Sequence, residues 1–205
     1  MIAVIDYGLG NLGSIANMLK RIGVRSVITS DHGLIESADQ LILPGVGAFD
    51  AGMANLRARG LIDLLEDAVM SRVKPILGIC LGMQLMMEGS AEGREPGLGW
   101  IKGRAHRFEF SHGEALKVPH MGWNSVHALR HSRLLTSQPK ASRFYFVHSY
   151  YVRCDRQEDV LLRAKYGVEF DAGFERDNVM GVQFHPEKSH QFGMSLLHDF
   201  ARLRC

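Results

Sequence analysis

Short apolar runs alternate with longer segments of helical period through the first half of the chain. Residues 2–5 (Ile-Ala-Val-Ile) carry no polar alternation and predict a strand buried on both faces. Further strands are predicted at 25–29, 40–43 and 75–79, and helices up to about residue 22, over 49–70 with a break at Gly60, and over 81–87. From residue 100 the pattern changes to closely spaced strands at 100–110, 115–118, 124–128, 144–152, 160–165 and 168–175. Such spacing suggests antiparallel additions to a parallel core. A strand at 179–184 and a helix at 189–202 close the chain. Ser189 is the expected N-cap, and Phe192, Leu196, Phe200 and Leu203 form the stripe that lies on the sheet. The expected fold is α/β: one domain over 1–205, a doubly wound, mostly parallel sheet with helices on both faces and added antiparallel strands. Function then belongs at the carboxyl ends of the strands.

One strand-to-helix junction carries chemistry. Residues 74–84 read Lys-Pro-Ile-Leu-Gly-Ile-Cys-Leu-Gly-Met-Gln, with Gly78 and Gly82 two residues to either side of Cys80. This is the nucleophile-elbow spacing with cysteine in place of serine. A turn that sharp brings neighbouring chain too close for a Cβ at the flanking positions. It also sets the sulfur at the start of a helix, where free N–H groups favour thiolate. A buried structural cysteine beside packing glycines would look the same, so the elbow needs a base. Gly-Val-Gln-Phe-His-Pro-Glu-Lys-Ser at 181–189 supplies one: His185 stands past a strand end and Glu187 lies two residues on. A cysteine nucleophile uses an imidazole to take its proton and a carboxylate to fix the tautomer, which makes Cys80, His185 and Glu187 a candidate triad. Pro44-Gly45-Val46-Gly47 also follows a strand directly. Its glycines let a peptide plane present an N–H near Val46 or Gly47 as an oxyanion donor, beside that of Leu81.

Composition narrows the class. Lys and Arg number 24 against 22 Asp and Glu, a balance that points to neither nucleic acid nor a membrane surface. The histidines show no metal spacing, and Cys80, Cys154 and Cys205 are too few and too scattered for a disulfide framework. No signal peptide is expected, no apolar run reaches the roughly 18 residues of a membrane span, and a cytoplasmic location is expected. No cofactor or metal is called for, with one competing feature. Gly8, Gly10 and Gly13 follow a strand and precede a helix, with Asp31 further on, which resembles a dinucleotide fingerprint and keeps an oxidoreductase as an alternative.

Gly-Ile-Cys-Leu-Gly-Met-Gln at 78–84, with Phe-His-Pro-Glu at 184–187 and Leu-Pro-Gly-Val-Gly at 43–47, resembles the class I (triad) glutamine amidotransferases over essentially the whole chain. Asp-Tyr-Gly-Leu-Gly-Asn (6–11), Pro-His-Met-Gly-Trp-Asn (119–124) and Val-His-Ser-Tyr-Tyr (147–151) are similar to the glutaminase subunits of imidazole glycerol phosphate synthases. Met83 stands where relatives serving anthranilate synthesis typically carry His. The resemblance implies hydrolysis of glutamine by Cys80, His185 and Glu187, and delivery of ammonia through a tunnel to a (β/α)₈-barrel cyclase subunit. It further implies that Gly47, Gln84, Glu92, Ser149 and Tyr150 hold glutamine. By the same resemblance Asn11, Trp123, Tyr145 and Lys188 lie near the partner, and the loop at 8–13 faces that partner instead of a pyrophosphate. His120 and His148 match no nucleophile pairing and are expected to be structural. A paralogous subgroup feeding amino-sugar synthesis for surface polysaccharide is the runner-up, suggested by residues 142–146 and 188–194.

Overall fold

The computed structural model describes residues 1–110, 116–139 and 142–203. Its strands are β1 (Ile2–Ile5), β2 (Ser26–Thr29), β3 (Gln40–Gly45), β4 (Ile76–Cys80), β5 (Met87–Ser90), β6 (Ile101–Arg107), β7 (His120–Ala128), β8 (Ser142–His148), β9 (Tyr150–Cys154), β10 (Val160–Tyr166), β11 (Val168–Arg176) and β12 (Val179–Val182). The helices are α1 (Leu12–Arg21), α2 (His32–Ser37), α3 (Phe49–Ala58), α4 (Leu61–Glu66), α5 (Leu81–Leu85) and α6 (His190–Ala201). The main path of the sheet is β2-β1-β3-β4-β12-β11-β10-β7-β8, with β9 branching from β11 and carrying β6 and then β5. The five strands from β2 to β12 run parallel, and β11, β10, β7 and β8 continue antiparallel.

The parallel strands are apolar at successive positions because each face has its own core. Val4, Ile42, Leu77, Ile79, Met180 and Val182 share one core with Ile15 and Leu19 of α1 and Leu196 and Phe200 of α6. Their neighbours Ala3, Ile5, Leu41, Leu43, Ile76 and Val179 face the other, with Ile35, Met53, Leu56 and Leu61 of α2, α3 and α4. Of the predicted stripe, Leu196 and Phe200 are completely buried, Leu203 is buried, and Phe192 is half-buried against the same core.

Several boundaries differ from the sequence reading. The helix expected over 81–87 ends at Leu85, because Leu98 and Ile101 donate backbone N–H groups to the carbonyls of Leu85 and Met86 and draw the chain into β5. The run 144–152 is two strands with different partners, bent at Ser149, whose carbonyl accepts from Phe108 N–H. Of the strand expected at 115–118, Ala115 lies outside the described residues and the remainder is not a strand. Ser189 precedes α6 but does not cap it: its hydroxyl donates to the His185 carbonyl and accepts from Tyr145 N–H. No helix among the described residues is long and apolar enough to cross a membrane.

Candidate active site

β3, β4 and β12 are neighbours, and their register sets Gly45 opposite Cys80 and Val182 opposite Ile79. All three strands end along one line, and the chain beyond each supplies one part of the site.

Cys80 has φ 54° and ψ −108°, a left-handed conformation that non-glycine residues rarely adopt. The strain is held by packing around the flanking glycines. A Cβ on Gly78 would stand 2.8 Å from the Met83 backbone, and one on Gly82 would stand 1.8 Å from the Leu43 carbonyl oxygen. The thiol is 7% exposed, so the sulfur reaches solvent only through a cleft of about 410 Å³. Val46, Gly47, Leu81, Gln84, Glu92, Ser149 and Tyr150 line that cleft with Cys80, together with Pro119, Val147 and His148. A cavity of about 430 Å³ lies between β7, β10 and the 130–139 segment, away from the elbow. Among the described residues no cysteine or carboxylate lines it, so chemistry selects the cleft.

His185 and Glu187 lie behind the cysteine, 2% and 1% exposed at their side chains, with Nδ1 2.8 Å from Glu187 Oε1. A carboxylate only accepts, so Nδ1 carries the proton. Nε2 is buried without a hydrogen-bond partner among the described residues, and the ring lies close enough to Cys80 for the thiolate to act on its charge. Burial disfavours the charged ring, but the Glu187 hydrogen bond and the negative charges of Cys80 and Glu187 outweigh it and raise the His185 pKa. The turn is fixed from outside as well: His185 N–H donates to the Tyr145 carbonyl at 2.9 Å, and Ser189 bridges the same two residues.

Around the cleft, Gly47 has φ 126°, a conformation reserved for glycine, and Val46 is 42% exposed. Gln84 is buried, and its Nε2 donates to the Tyr150 carbonyl and to Gln183 Oε1, each at 3.1 Å. Glu92 stands at the rim, where Oε2 accepts from Phe49 N–H at the start of α3. Asp50 holds the loop that carries Glu92: its carboxylate accepts from Arg94 and Glu95 N–H groups at 3.0 Å, which lowers its pKa.

Two groups near the sulfur escape a reading of the sequence. Gln183, fully buried, sets Nε2 3.7 Å from Cys80 Sγ. Its place two residues before the histidine was the one available signal. Tyr7, also fully buried, has a hydroxyl without a hydrogen-bond partner among the described residues, close enough to the elbow for Cys80 to influence it.

Trp123, Tyr145 and Lys188 form one cluster. The Trp123 and Tyr145 rings are 6.4 Å apart, Lys188 Nζ is 5.7 Å from the Tyr145 centroid, and His190 stacks on Trp123 at 5.5 Å. Asn11 precedes α1, which packs beside the 186–188 turn. Gly8, Gly10 and Gly13 do not reproduce dinucleotide geometry. A Cβ on Gly13 would meet nothing within 4 Å, so no close helix–strand approach needs that glycine. Asp31, the expected ribose ligand, accepts from Leu34 N–H and caps α2. Cys154 is half-buried on β9, its pKa raised by burial, and Cys205 lies outside the described residues.

A strained cysteine with a buried His–Glu pair lies at the carboxyl ends of a parallel sheet, an arrangement that suits acyl transfer. The class I glutamine amidotransferase profile matches residues 3–203, and the chain belongs to that family. A Pseudomonas aeruginosa protein named imidazole glycerol phosphate synthase subunit HisH 2 is 52% identical over 99% of this chain and 100% of its own. Its namesake in Methanococcus maripaludis is 50% identical over 98% and 99%. Among solved structures, PurLQS from Thermotoga maritima shares the fold at TM-score 0.70 and 21% identity, over 97% of this chain and 96% of that one.

Proposed function

We propose that this chain is the glutaminase subunit of an imidazole glycerol phosphate synthase, releasing ammonia from glutamine for a cyclase partner in histidine biosynthesis. The observation that carries this reading is Cys80, held in a strained elbow on a cleft, with the His185–Glu187 pair against its sulfur. The Cys80 thiolate attacks the side-chain amide carbon of glutamine, and the negative oxygen that forms is met by N–H groups near Val46, Gly47 and Leu81. His185 protonates the departing nitrogen as the C–N bond breaks, leaving a thioester and free ammonia. The imidazole, now neutral, takes a proton from water, hydroxide adds to the thioester, and glutamate leaves as the thiolate returns. Glu187 keeps the imidazole in one tautomer through both steps.

The remaining cleft residues recognise the amino-acid end. The carboxylate of Glu92 suits the substrate ammonium. Both N–H groups of Gln84 are engaged by protein, which leaves its carbonyl oxygen for substrate. Delivery to a (β/α)₈-barrel subunit is supported by exposed apolar side chains near the start of β7, Met121 at 61% and Trp123 at 39%, where Met121 pairs with the cleft-lining Val147. The segments 142–146 and 188–194 keep an amino-sugar acceptor as a second reading. The test is reconstitution with each candidate acceptor subunit. Glutamine-dependent synthesis with the cyclase supports the histidine assignment, and synthesis only with an amino-sugar synthase overturns it.

A further inference from the structure

We propose that the buried amide of Gln183 donates an N–H to the Cys80 sulfur and is locked in that orientation by Gln84 and the Tyr150 carbonyl. The proposal rests on the reading of Cys80 as the nucleophile and deepens it. Gln183 follows β12 directly, is fully buried, and is pinned by its backbone N–H to the Ala172 carbonyl at 2.9 Å.

An amide can face a sulfur with nitrogen or with oxygen, and the neighbours decide which. The Tyr150 carbonyl can only accept, so Gln84 must turn its nitrogen toward it. The second hydrogen on that nitrogen then needs an acceptor, and Gln183 Oε1 lies 3.1 Å away. Gln183 is therefore left with nitrogen toward Cys80 Sγ, at 3.7 Å. Flipping either amide would set donor against donor or oxygen against oxygen in a dry interior.

The same carbonyl directs a second chain away from the sulfur. His148 Nδ1 lies 2.8 Å from the Tyr150 carbonyl and must donate to it. With the ring neutral, Nε2 accepts from His120 Nδ1 at 2.9 Å, and His120 Nε2 accepts from Asn124 Nδ2 at 3.2 Å. Burial lowers the pKa of both rings and keeps them neutral, as these roles require. His120 is further fixed by stacking between Phe146 and Tyr166. The Tyr150 carbonyl is thus the origin of two polarised chains, one ending on the nucleophile and one at Asn124 of β7.

The amide gives the sulfur something His185 cannot. His185 hands its proton to the leaving nitrogen and recovers it from water, so the attraction of its charged ring for the sulfur lapses during turnover. Gln183 does not titrate, and its N–H favours the thiolate at every stage, including its departure from the thioester. Removing a donor from an anion raises that group's pKa, by about one unit for a single amide donor.

The test is the pH dependence of Cys80 alkylation by iodoacetamide, followed on the Cys80 peptide in wild type, Gln183→Met and Gln183→Glu. Gln183→Met keeps the volume and loses the donor. Its midpoint should rise by about one pH unit, so alkylation below the midpoint slows about tenfold. In glutamine hydrolysis kcat should fall about tenfold with KM changed less than twofold. Gln183→Glu sets a negative charge beside the thiolate, and its midpoint should rise further. Should Gln183→Met melt early, Gln84→Glu gives a second reading: a carboxylate cannot donate, so the Gln183 amide flips and the midpoint still rises. An unchanged midpoint in every folded variant would overturn the proposal. Retained glutamine hydrolysis in Cys80→Ala would instead overturn the nucleophile assignment on which it rests.

Discussion

Gly82 lies so close to Leu43 that an added Cβ would stand 1.8 Å from the Leu43 carbonyl oxygen. The contact joins the first turn of α5 to β3, and through β3 the elbow is held to the 46–47 loop. The obstacle is backbone on a buried strand, so rotamer changes cannot relieve it. Gly82→Ala should cost more than about 3 kcal/mol of stability or force the elbow open. Chemical denaturation and glutamine hydrolysis measured together will check this, and a variant of native stability and activity would refute the close-approach account.

Cys80→Ala should abolish glutamine hydrolysis while leaving the melting temperature and partner binding near wild type. Alanine fits the space and loses only the sulfur. In the reconstituted synthase, product formation from added ammonium salt should persist. Loss of both activities together would contradict the division of labour between the subunits.

The histidines separate by what they touch. His185→Asn removes the imidazole that is coupled to both Cys80 and Glu187 and should lower kcat roughly a thousandfold or more. His120→Asn disturbs the far end of the chain that leads to Tyr150, and a loss below about tenfold is expected. Steady-state kinetics on both variants decides, and comparable losses would assign the base wrongly.

The His120–His148 pair also sets a pH response of stability. Unfolded, both rings titrate near 6.5; folded, burial lowers them to about 4 and about 3. Above pH 6.5 both are neutral in either state and the stability is fully present. As pH falls below 6.5 the unfolded chain binds protons that the fold refuses, and stability drops by up to about 1.4 kcal/mol per pH unit for each ring. His185, shifted upward, acts with the opposite sign: the fold keeps its proton while the unfolded ring titrates near 6.5, so it offsets part of the loss between about pH 7 and 6 and adds little once both states are charged near pH 5. Denaturation at pH 7, 6 and 5 should show the loss, and His148→Gln should reduce its slope. A flat wild-type profile would contradict it.

What the sequence revealed follows from the range of the interactions involved. The elbow was legible because Gly78, Cys80 and Gly82 are a local pattern with a local steric cause. His185 and Glu187 were legible because both sit on one short turn. Gln183 was not, since its role depends on Gln84 and Tyr150, which approach only once β12, α5 and β9 are assembled. The branch at β9 was hidden for a related reason: 144–152 reads as one strand, and only the bend at Ser149 divides the pairing between β7 and β6. Ser189 misled because a serine before a helix reads as a cap, whereas tertiary packing offered it Tyr145 and the His185 carbonyl.

The last prediction concerns the partner. Val46 and Gly47 lie exposed at the cleft mouth, and Gly45 and Gly47 let the peptides on either side of Val46 present their N–H groups to the cleft or turn them away. An oxyanion donor with that freedom is competent only for the fraction of time it points inward. A subunit docked over the strand ends can raise the fraction by binding the competent form more tightly, and by no more than that difference in affinity. The Trp123–Tyr145–Lys188 cluster couples such a surface to the site, because the Tyr145 carbonyl and N–H hold His185 and Ser189. The isolated chain should therefore hydrolyse glutamine slowly, faster with the cyclase subunit, and fastest when that subunit holds its own substrate. Val46→Pro, which removes the N–H of residue 46 from the donor set, should reduce the fully activated rate far more than the basal one if that N–H is the donor recruited. Glutaminase turnover in the three conditions measures the effect, and equal rates in all three would reject gating and describe a free-standing hydrolase.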